Sequence, residues 1–381
     1  MTIASDAIIV GEGPAGSSCA YNLKRLNPDL NILVIDKATF PRYKPCGGGI
    51  SPDVFNYFDF DLSDAVDYRC NQSVMVINGK RTHTDTSEVL MVRREVFDDF
   101  LLKKTIEAGI EVKTNCEVTA IESHKNYAHV HTSEGLFSAK VVVLAEGGRG
   151  KLAKKLGMTP NHHVVAGMEY EHYTPERDGK LEINFDQGNS FYAWNFPKSD
   201  GLSLGVGAFI KGKKKKGIGV PQQLKQYITQ FKVEALDKKN LHGHPIMLYS
   251  GRAKLVHQSV LLIGEVAGCV DPLTAEGIRP AIKSGYLAAQ VLNQAMRKNK
   301  NKHLKKYNKI FHQSIGKDFQ YARILAYFIQ KKRAIVLPLL NSKRAIDAFM
   351  RVFSGDATYS SYISKKRIFK LIKKSMGSGS N

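Results

Sequence analysis

Short apolar runs separated by helical periodicity dominate the first part of the chain. Asp6 to Val10 is an apolar run after an acid, the pattern of a strand buried on both faces, and GEGPAG follows at once. Apolar residues at helical spacing from about Ala15 to Leu26 then predict a helix, and NILVI at Asn31 to Ile35 a second buried strand ending at Asp36. Phe40 to Pro52 is rich in Pro and Gly and reads as a loop. Phe97 to Glu107 predicts a helix, followed by strands at Glu111 to Lys113, Val118 to Glu122, Ala128 to Thr132 and Lys140 to Leu144.

From Val165 to Phe209 the period changes. Ser190 to Phe196 alternates, with Tyr192, Trp194 and Phe196 on one face. PKSDG turns the chain, and LSLGVGAF returns in register for a hairpin, so a β-rich insertion is expected. Ser259 to Ile263 predicts a buried strand leading into GEVAGCVDPLTAEGI and a helix from about Arg279 to Met296, after which the pattern stays helical.

The composition, 43% hydrophobic and 24% charged over 381 residues, excludes a disordered or collagen-like chain. The net charge of +21 is unevenly placed: residues 281–381 carry 22 basic and 3 acidic residues, whereas residues 1–280 carry 34 and 32. Five scattered cysteines without a CxxC pair argue against a disulfide framework or a zinc ribbon, and no metal is expected. The N-terminus lacks the basic and apolar regions of a secretory signal, and no apolar run has the length of a membrane span, so a cytoplasmic protein is expected.

The candidate chemistry begins at Gly11, Gly13 and Gly16. This GxGxxG follows a strand, opens a helix, and has Asp36 placed 20 residues beyond its third glycine. Gly11 permits the tight turn, Gly13 lets the backbone approach a pyrophosphate, and Gly16 allows close helix–strand packing. The helix N-terminus attracts the phosphates, and Asp36 can accept hydrogen bonds from a ribose. The motif alone serves FAD or NAD equally.

A second segment, Leu261 to Ile278, delivers an acid, Glu265, at the end of a strand and starts a helix near Gly277. It resembles the GDAAxxxxPxxGxG motif of the p-hydroxybenzoate hydroxylase superfamily, as do Arg94, Phe97 and Asp98 (RxxFD) and LAEGGRGKLAKKLG at Leu144 to Gly157. Within that superfamily PRYKPCGGG (Pro41 to Gly49), YAWNFP (Tyr192 to Pro197), AEGI (Ala275 to Ile278) and FSGDATY (near Phe353) resemble motifs of the geranylgeranyl reductase family, in that family's order. Four positions depart: Glu146 and Glu265 replace aspartates, Ala275 a glycine and Gly150 a serine.

The resemblance implies an α/β fold: a Rossmann-like FAD-binding domain (1–160 with 250–297), an antiparallel β-sheet substrate domain (70–90 and 161–249) and a basic helical C-terminal region (298–381). It implies FAD contacts from Gly11, Gly13, Pro14, Ala15, Gly16, Asp36, Lys37, Cys46, Gly47, Arg94, Val118, Glu146, Gly147, Gly264, Glu265, Pro272, Gly277 and Ile278.

The implied activity is reduction of prenyl double bonds by hydride from reduced flavin plus a proton. Tyr192, Trp194 and Phe196 would line an apolar slot for the chain and stabilise developing positive charge; the competing reading is ordinary sheet core. Cys46 would sit by the flavin as proton donor or ring contact, or be a structural thiol. The other cysteines read as packing residues, and the catalytic candidates are Cys46, Tyr192 and Trp194. GVG at Gly205 to Gly207 lacks a third glycine, so no second dinucleotide motif holds the reductant. NADPH docking transiently, or an acidic carrier such as reduced ferredoxin, would supply electrons. A flavin monooxygenase acting on an aromatic and a non-catalytic flavin electron-transfer protein are the rival readings.

The basic C-terminal region interleaves Lys and Arg with apolar residues. It suits an anionic membrane surface, an acidic electron carrier or plainly solvated helix faces; no RNA-binding module is present, which disfavours nucleic acid. A prenyl substrate favours peripheral attachment to a membrane.

Overall fold

The computed structural model describes residues 4–158, 163–186, 192–209, 219–233 and 236–363. The Lys213–Lys216 run, expected as a loop tip, and the last basic segment beyond residue 363 lie outside the described residues.

Two sheets organise the chain. The first runs Val256–His257, Val260–Leu262, Gly135–Leu144, Ser5–Val10, Ile32–Ile35, Glu111–Lys113, parallel along this path except at the Val256–His257 edge, and Ala128–Thr132 and Val118–Ser123 extend it antiparallel from Gly135–Leu144. Its central strands are buried on both faces, with Ala7, Ile8, Ile9 and Val143 inaccessible to solvent, which explains their unbroken apolar runs. Pro14–Leu26 and Ile278–Arg297 pack together over it, with Ser18 Oγ donating to Ile282 O at 2.8 Å. Pro14 occupies the first helical turn, where a missing N–H does no harm.

The second sheet runs Leu241–Leu248, His163–Tyr173, Gly201–Phe209, Tyr192–Lys198, Leu181–Asn184, Tyr68–Ile77, Lys80–Met91, Gly49–Ile50. Most of its pairings are antiparallel, but Leu181–Asn184 runs parallel to Tyr68–Ile77. It takes in the short Gly49–Ile50 strand from the Pro/Gly-rich loop, which read as loop in the sequence. The expected hairpin is present as Tyr192–Lys198 and Gly201–Phe209.

The C-terminal helices are folded onto this body. Leu304, Tyr307, Phe311, Ile315 and Phe319 join the core of the parallel sheet. Leu337, Ile346, Met350, Phe353 and Tyr359 join a second core with Ile183, Trp194 and Phe196. In Lys343–Phe353 the apolar side faces this core, while Lys343, Arg344 and Arg351 are exposed. The charge of the region, where described, therefore lies on the outward faces of a packed roof.

Candidate functional site

Between the two sheets lies a cleft enclosing about 1200 Å³ of space, part of it open to solvent. The glycine turn forms one end. Asp36 Oδ2 accepts from Glu12 N–H at 2.7 Å and Oδ1 from Ala38 N–H at 2.8 Å, so the acid ties the turn to the second strand. Gly13, Pro14 and Ala15 line the cleft, and beside them Arg94 grips Asp98 through two 2.7 Å bonds while Arg42 reaches the same carboxylate at 3.0 Å. Two guanidinium groups thus share one carboxylate at the N-terminus of the Pro14–Leu26 helix.

The middle of the cleft is formed by Lys44, Cys46 and Gly47 to Gly49 facing Gly264, Glu265 and Thr274 to Ile278. Lys198, 1% exposed, donates from Nζ to Gly47 O (2.8 Å) and Val92 O (3.0 Å), fixing this glycine loop. Gly48 needs its glycine twice over: its φ is +74°, and a Cβ would lie 2.0 Å from Val92 O. Burial pulls the Lys198 ammonium below an ordinary lysine despite Glu171 and Asp67. Lys44 is likewise lowered by burial and by Arg94, against the pull of Glu265 and Asp98. Burial alone would raise Glu265, but His244, Lys44 and the Met247 N–H (3.1 Å) hold it below the usual carboxylate range. Cys46 lies beside the Arg94 guanidinium, and its N–H donates to Glu169 Oε1 at 2.8 Å.

Opposite stands the aromatic strand. Tyr192, Trp194 and Phe196 line the cleft in a row, ring centroids 6.1 and 6.3 Å apart, and Phe353 from the C-terminal roof continues it 6.2 Å from Phe196. The Trp194 indole lies over Gly205, where a Cβ would come within 2.0 Å of the ring. Tyr192 OH donates to Thr274 O, and Tyr359 OH donates to both oxygens of Asp271 (3.1 and 2.9 Å). Asp271 also caps the turn by accepting from Leu273 N–H (2.7 Å) and Thr274 N–H (3.1 Å). The second sheet and the C-terminal roof therefore both hold the Asp271–Gly277 turn. Within it Ala275, standing where the resemblance expects glycine, adopts φ +55°.

Of the residues expected at the site, Gly13, Pro14, Ala15, Cys46, Gly47, Arg94, Gly147, Tyr192, Trp194, Phe196, Gly264, Glu265, Gly277 and Ile278 line the cleft together. Gly11, Gly16 and Asp36 build the turn behind it. Lys37 is exposed, and Val118 and Pro272 are buried away from the lining. Glu146 also stands outside it: its carboxylate accepts from Leu152 N–H (2.9 Å) and Ala153 N–H (2.8 Å), capping the helix Lys151–Lys155. Sequence reasoning missed Lys44, Glu169, His242, His244 and Phe353, all lining residues. Cys19, Cys70, Cys116 and Cys269 are buried and unpaired.

The sequence profile of the pyridine nucleotide-disulphide oxidoreductase family matches residues 8–181. An uncharacterised protein of Methanosarcina barkeri is 34% identical over 77% of this chain and 75% of its own length. A menaquinone reductase of Mycobacterium tuberculosis is 27% identical over 76% of each chain. A digeranylgeranylglycerophospholipid reductase of Methanocaldococcus jannaschii is 26% identical over 77% of this chain and 78% of its own. The chain belongs to the geranylgeranyl reductase family of FAD-dependent oxidoreductases. The fold agrees: a geranylgeranyl bacteriochlorophyll reductase-like structure from Thermoplasma acidophilum superposes with TM-score 0.75 at 20% identity, covering 97% of this chain and 95% of that one.

Two observations test whether the residues of this reductase-family chain fit FAD. The position a Cβ would take on Gly13 is open, with only the Arg42 and Arg94 guanidinium groups near, at 3.8 and 4.0 Å, which suits an anionic pyrophosphate at a helix N-terminus. His244 Nε2 is buried without a hydrogen-bond partner among the described residues; Glu265 stands 3.8 Å away, beyond bonding distance. A cofactor hydroxyl would satisfy it. The fit is good.

Proposed function

We propose that this protein hydrogenates carbon–carbon double bonds of prenyl chains with reduced FAD, working at a membrane surface. The observation that carries the reading is the continuous aromatic wall Tyr192, Trp194, Phe196 and Phe353 against the Gly47–Gly49 loop and the Thr274–Ile278 turn. FAD supplies hydride when bound. Its pyrophosphate would rest on the Pro14–Leu26 N-terminus with Arg42, Arg94 and Lys44, its ribose on Asp36, its ribityl chain by Glu265 and His244, and its ring between the glycine loop and the Asp271–Gly277 turn. The aromatic row binds the chain, excludes water and stabilises cationic character at the attacked carbon, by about 0.5–2 kcal/mol per desolvated face. The relatives named for reduction of menaquinone and of a digeranylgeranyl phospholipid support such a substrate.

No helix among the described residues is long and apolar enough to cross a membrane. The C-terminal roof nevertheless offers a surface for one: Leu339 is 65% and Tyr327 56% exposed, with exposed Lys331, Lys343 and Arg344 close in sequence. Each basic residue near anionic lipid contributes about 1 kcal/mol. NADPH, or an acidic carrier meeting the same basic face, would deliver the electrons.

The test is turnover of the reduced protein under argon with prenyl phospholipids, prenyl quinones and prenyl diphosphates, the products weighed by mass spectrometry. A gain of two mass units per double bond is expected. A gain of sixteen only after oxygen is admitted would make the protein a monooxygenase, and flavin left reduced by every substrate an electron carrier. Flotation with liposomes tests the surface: binding only to vesicles containing anionic lipid is expected, and equal partitioning overturns it.

A further inference from the structure

One buried acid on the cleft wall is not among the residues assigned to the cofactor. Glu169, 2% exposed, lines the cleft from the strand His163–Tyr173. The sheet register sets it in a row: Trp194 pairs with Gly205, Gly205 with Glu169, and Glu169 with His242. Directly paired residues point to the same face, so Trp194, Glu169 and His242 face the cleft together. Gly205 contributes no side chain, and the Trp194 indole fills its place, leaning across the strand that separates it from Glu169.

Glu169 Oε1 accepts from Tyr43 OH and from Cys46 N–H, both at 2.8 Å, while Oε2 takes no hydrogen bond from a described residue. Tyr43 is 43% exposed, with its ring packed on His242 at 4.1 Å, so the acid connects to the rim through the Tyr43 hydroxyl.

We propose that Glu169 is the proton donor of the hydrogenation, recharged from solvent through the Tyr43 hydroxyl. This rests on the prenyl-reductase reading. Hydride from reduced flavin forms a C–H bond at one alkene carbon as the π bond breaks. The Glu169 O–H breaks and its proton forms the second C–H bond at the other carbon. The flavin is left oxidised, the alkene reduced by two electrons, and Glu169 a carboxylate that takes a proton back from water by way of the rim.

The surroundings keep this carboxyl protonated near neutrality. Burial and the like charge of Glu171 raise it to about 7, against the hydrogen bonds from Tyr43 and the Cys46 amide and the charge of Lys198. His242 across the strand pair, His244 across from Gly167 and the Cys46 side chain complete the titratable groups around it. An acid needed in its protonated form predicts a rate that falls as pH rises through about 7.

The experiment compares single-turnover reduction of a geranylgeranyl lipid, under argon, by reduced wild type, Glu169→Gln, Tyr43→Phe and Glu171→Gln. FAD content and melting temperature are the folding controls. The wild-type rate should fall with rising pH, and Glu169→Gln should lose about 100-fold or more with the fall abolished. Tyr43→Phe removes a bond to the carboxylate and should move the falling limb to higher pH. Glu171→Gln removes a repelling charge and should move it lower. These opposite shifts do not require Glu169→Gln to fold. Infrared spectra of the oxidised holoprotein add a readout without turnover: because Glu12 and Glu276 contribute equally to both proteins, the wild-type minus Glu169→Gln difference should hold a protonated-carboxyl band at pH 6 that is diminished at pH 8.5. Wild-type reduction with an equally fast, equally pH-dependent Glu169→Gln overturns the proton donor alone. A wild type inert towards every prenyl substrate overturns the prenyl reading and this donor with it.

Discussion

The parallel sheet and the cleft wall beside it are built on opposite rules. In the sheet, Ala7, Ile8, Ile9, Val141, Val142 and Val143 are sealed from water in unbroken apolar runs. In the wall, Glu169, Glu171, Lys198, Arg94, Asp98, Asp271 and Glu276 are also buried, each tied by hydrogen bonds or opposite charge. The first region gains stability from area and tolerates no polarity. The second gives up part of that gain to hold charges in fixed positions, which is what binding an anionic cofactor and moving a proton require. Perturbed carboxyls accordingly cluster at the cleft: Glu276, raised by burial to about 7 against the pull of Arg279, stands beside Glu169 in this respect.

Substitutions on each side should separate the two rules. Trp194→Ala removes the centre of the aromatic row and the group filling the space over Gly205. It should lower prenyl reduction by more than about 100-fold per folded molecule and cost about 3–5 kcal/mol in denaturant unfolding. Ile9→Ala, deep in the parallel sheet, should cost about 2–5 kcal/mol and leave the rate per folded molecule nearly unchanged. A rate loss in Ile9→Ala equal to that in Trp194→Ala would erase the distinction.

Glu12 marks the border between the regions. It is fully buried beneath the glycine turn; Oε1 accepts from Ser17 Oγ (2.9 Å) and Thr105 Oγ1 (3.0 Å), and Oε2 has no partner among the described residues. Burial pushes it up to about 8 in spite of those two bonds. A carboxyl raised on folding binds its proton more tightly in the native state than in the unfolded chain. Stability is therefore highest below the ordinary carboxyl pKa and declines as pH rises from about 4.5 to 8. Glu12→Gln should flatten that decline and leave the protein about 2–4 kcal/mol more stable than wild type at pH 8, read from denaturant midpoints across pH.

Smaller effects are expected at the Asp271–Gly277 turn. Tyr359→Phe deletes the hydroxyl that bonds Asp271 and should cost about 1–2 kcal/mol while weakening FAD retention, measured by equilibrium dialysis. Ala275→Gly relieves a left-handed residue at φ +55° and should raise stability by about 1 kcal/mol, seen as a higher melting temperature.

The sequence reveals most where pattern and packing agree. The first strand, glycine turn, helix and second strand were readable because a parallel strand buried on both faces has no polar positions to confuse. The aromatic strand was readable from its alternation. Lys80–Met91 was placed in the β-sheet only through the resemblance (70–90), since its KRTHTDTSEV carries the polar signature of an exposed segment yet pairs along Tyr68–Ile77. Glu169 was hidden for a related reason. In MEYE the acids at 169 and 171 read as the solvent face and Tyr170 as the core face, but both faces of this strand are covered. Tyr170 packs towards Leu224, Tyr227 and Ile228, while Glu169 turns to the cleft. Alternation finds two faces; only the tertiary fold says that the polar one lies over a binding site. Glu146 shows the converse, a motif acid engaged in capping a helix.

The central claim is that reduced flavin in this cleft passes hydride to an isolated double bond without oxygen. The most direct measurement follows the flavin absorbance of reduced holoprotein mixed anaerobically with a geranylgeranyl phospholipid, with the lipid quantified alongside. The account predicts return of the oxidised spectrum under argon, with one double bond lost for each flavin reoxidised. A spectrum that stays reduced until air is admitted, with the lipid unchanged, would contradict it.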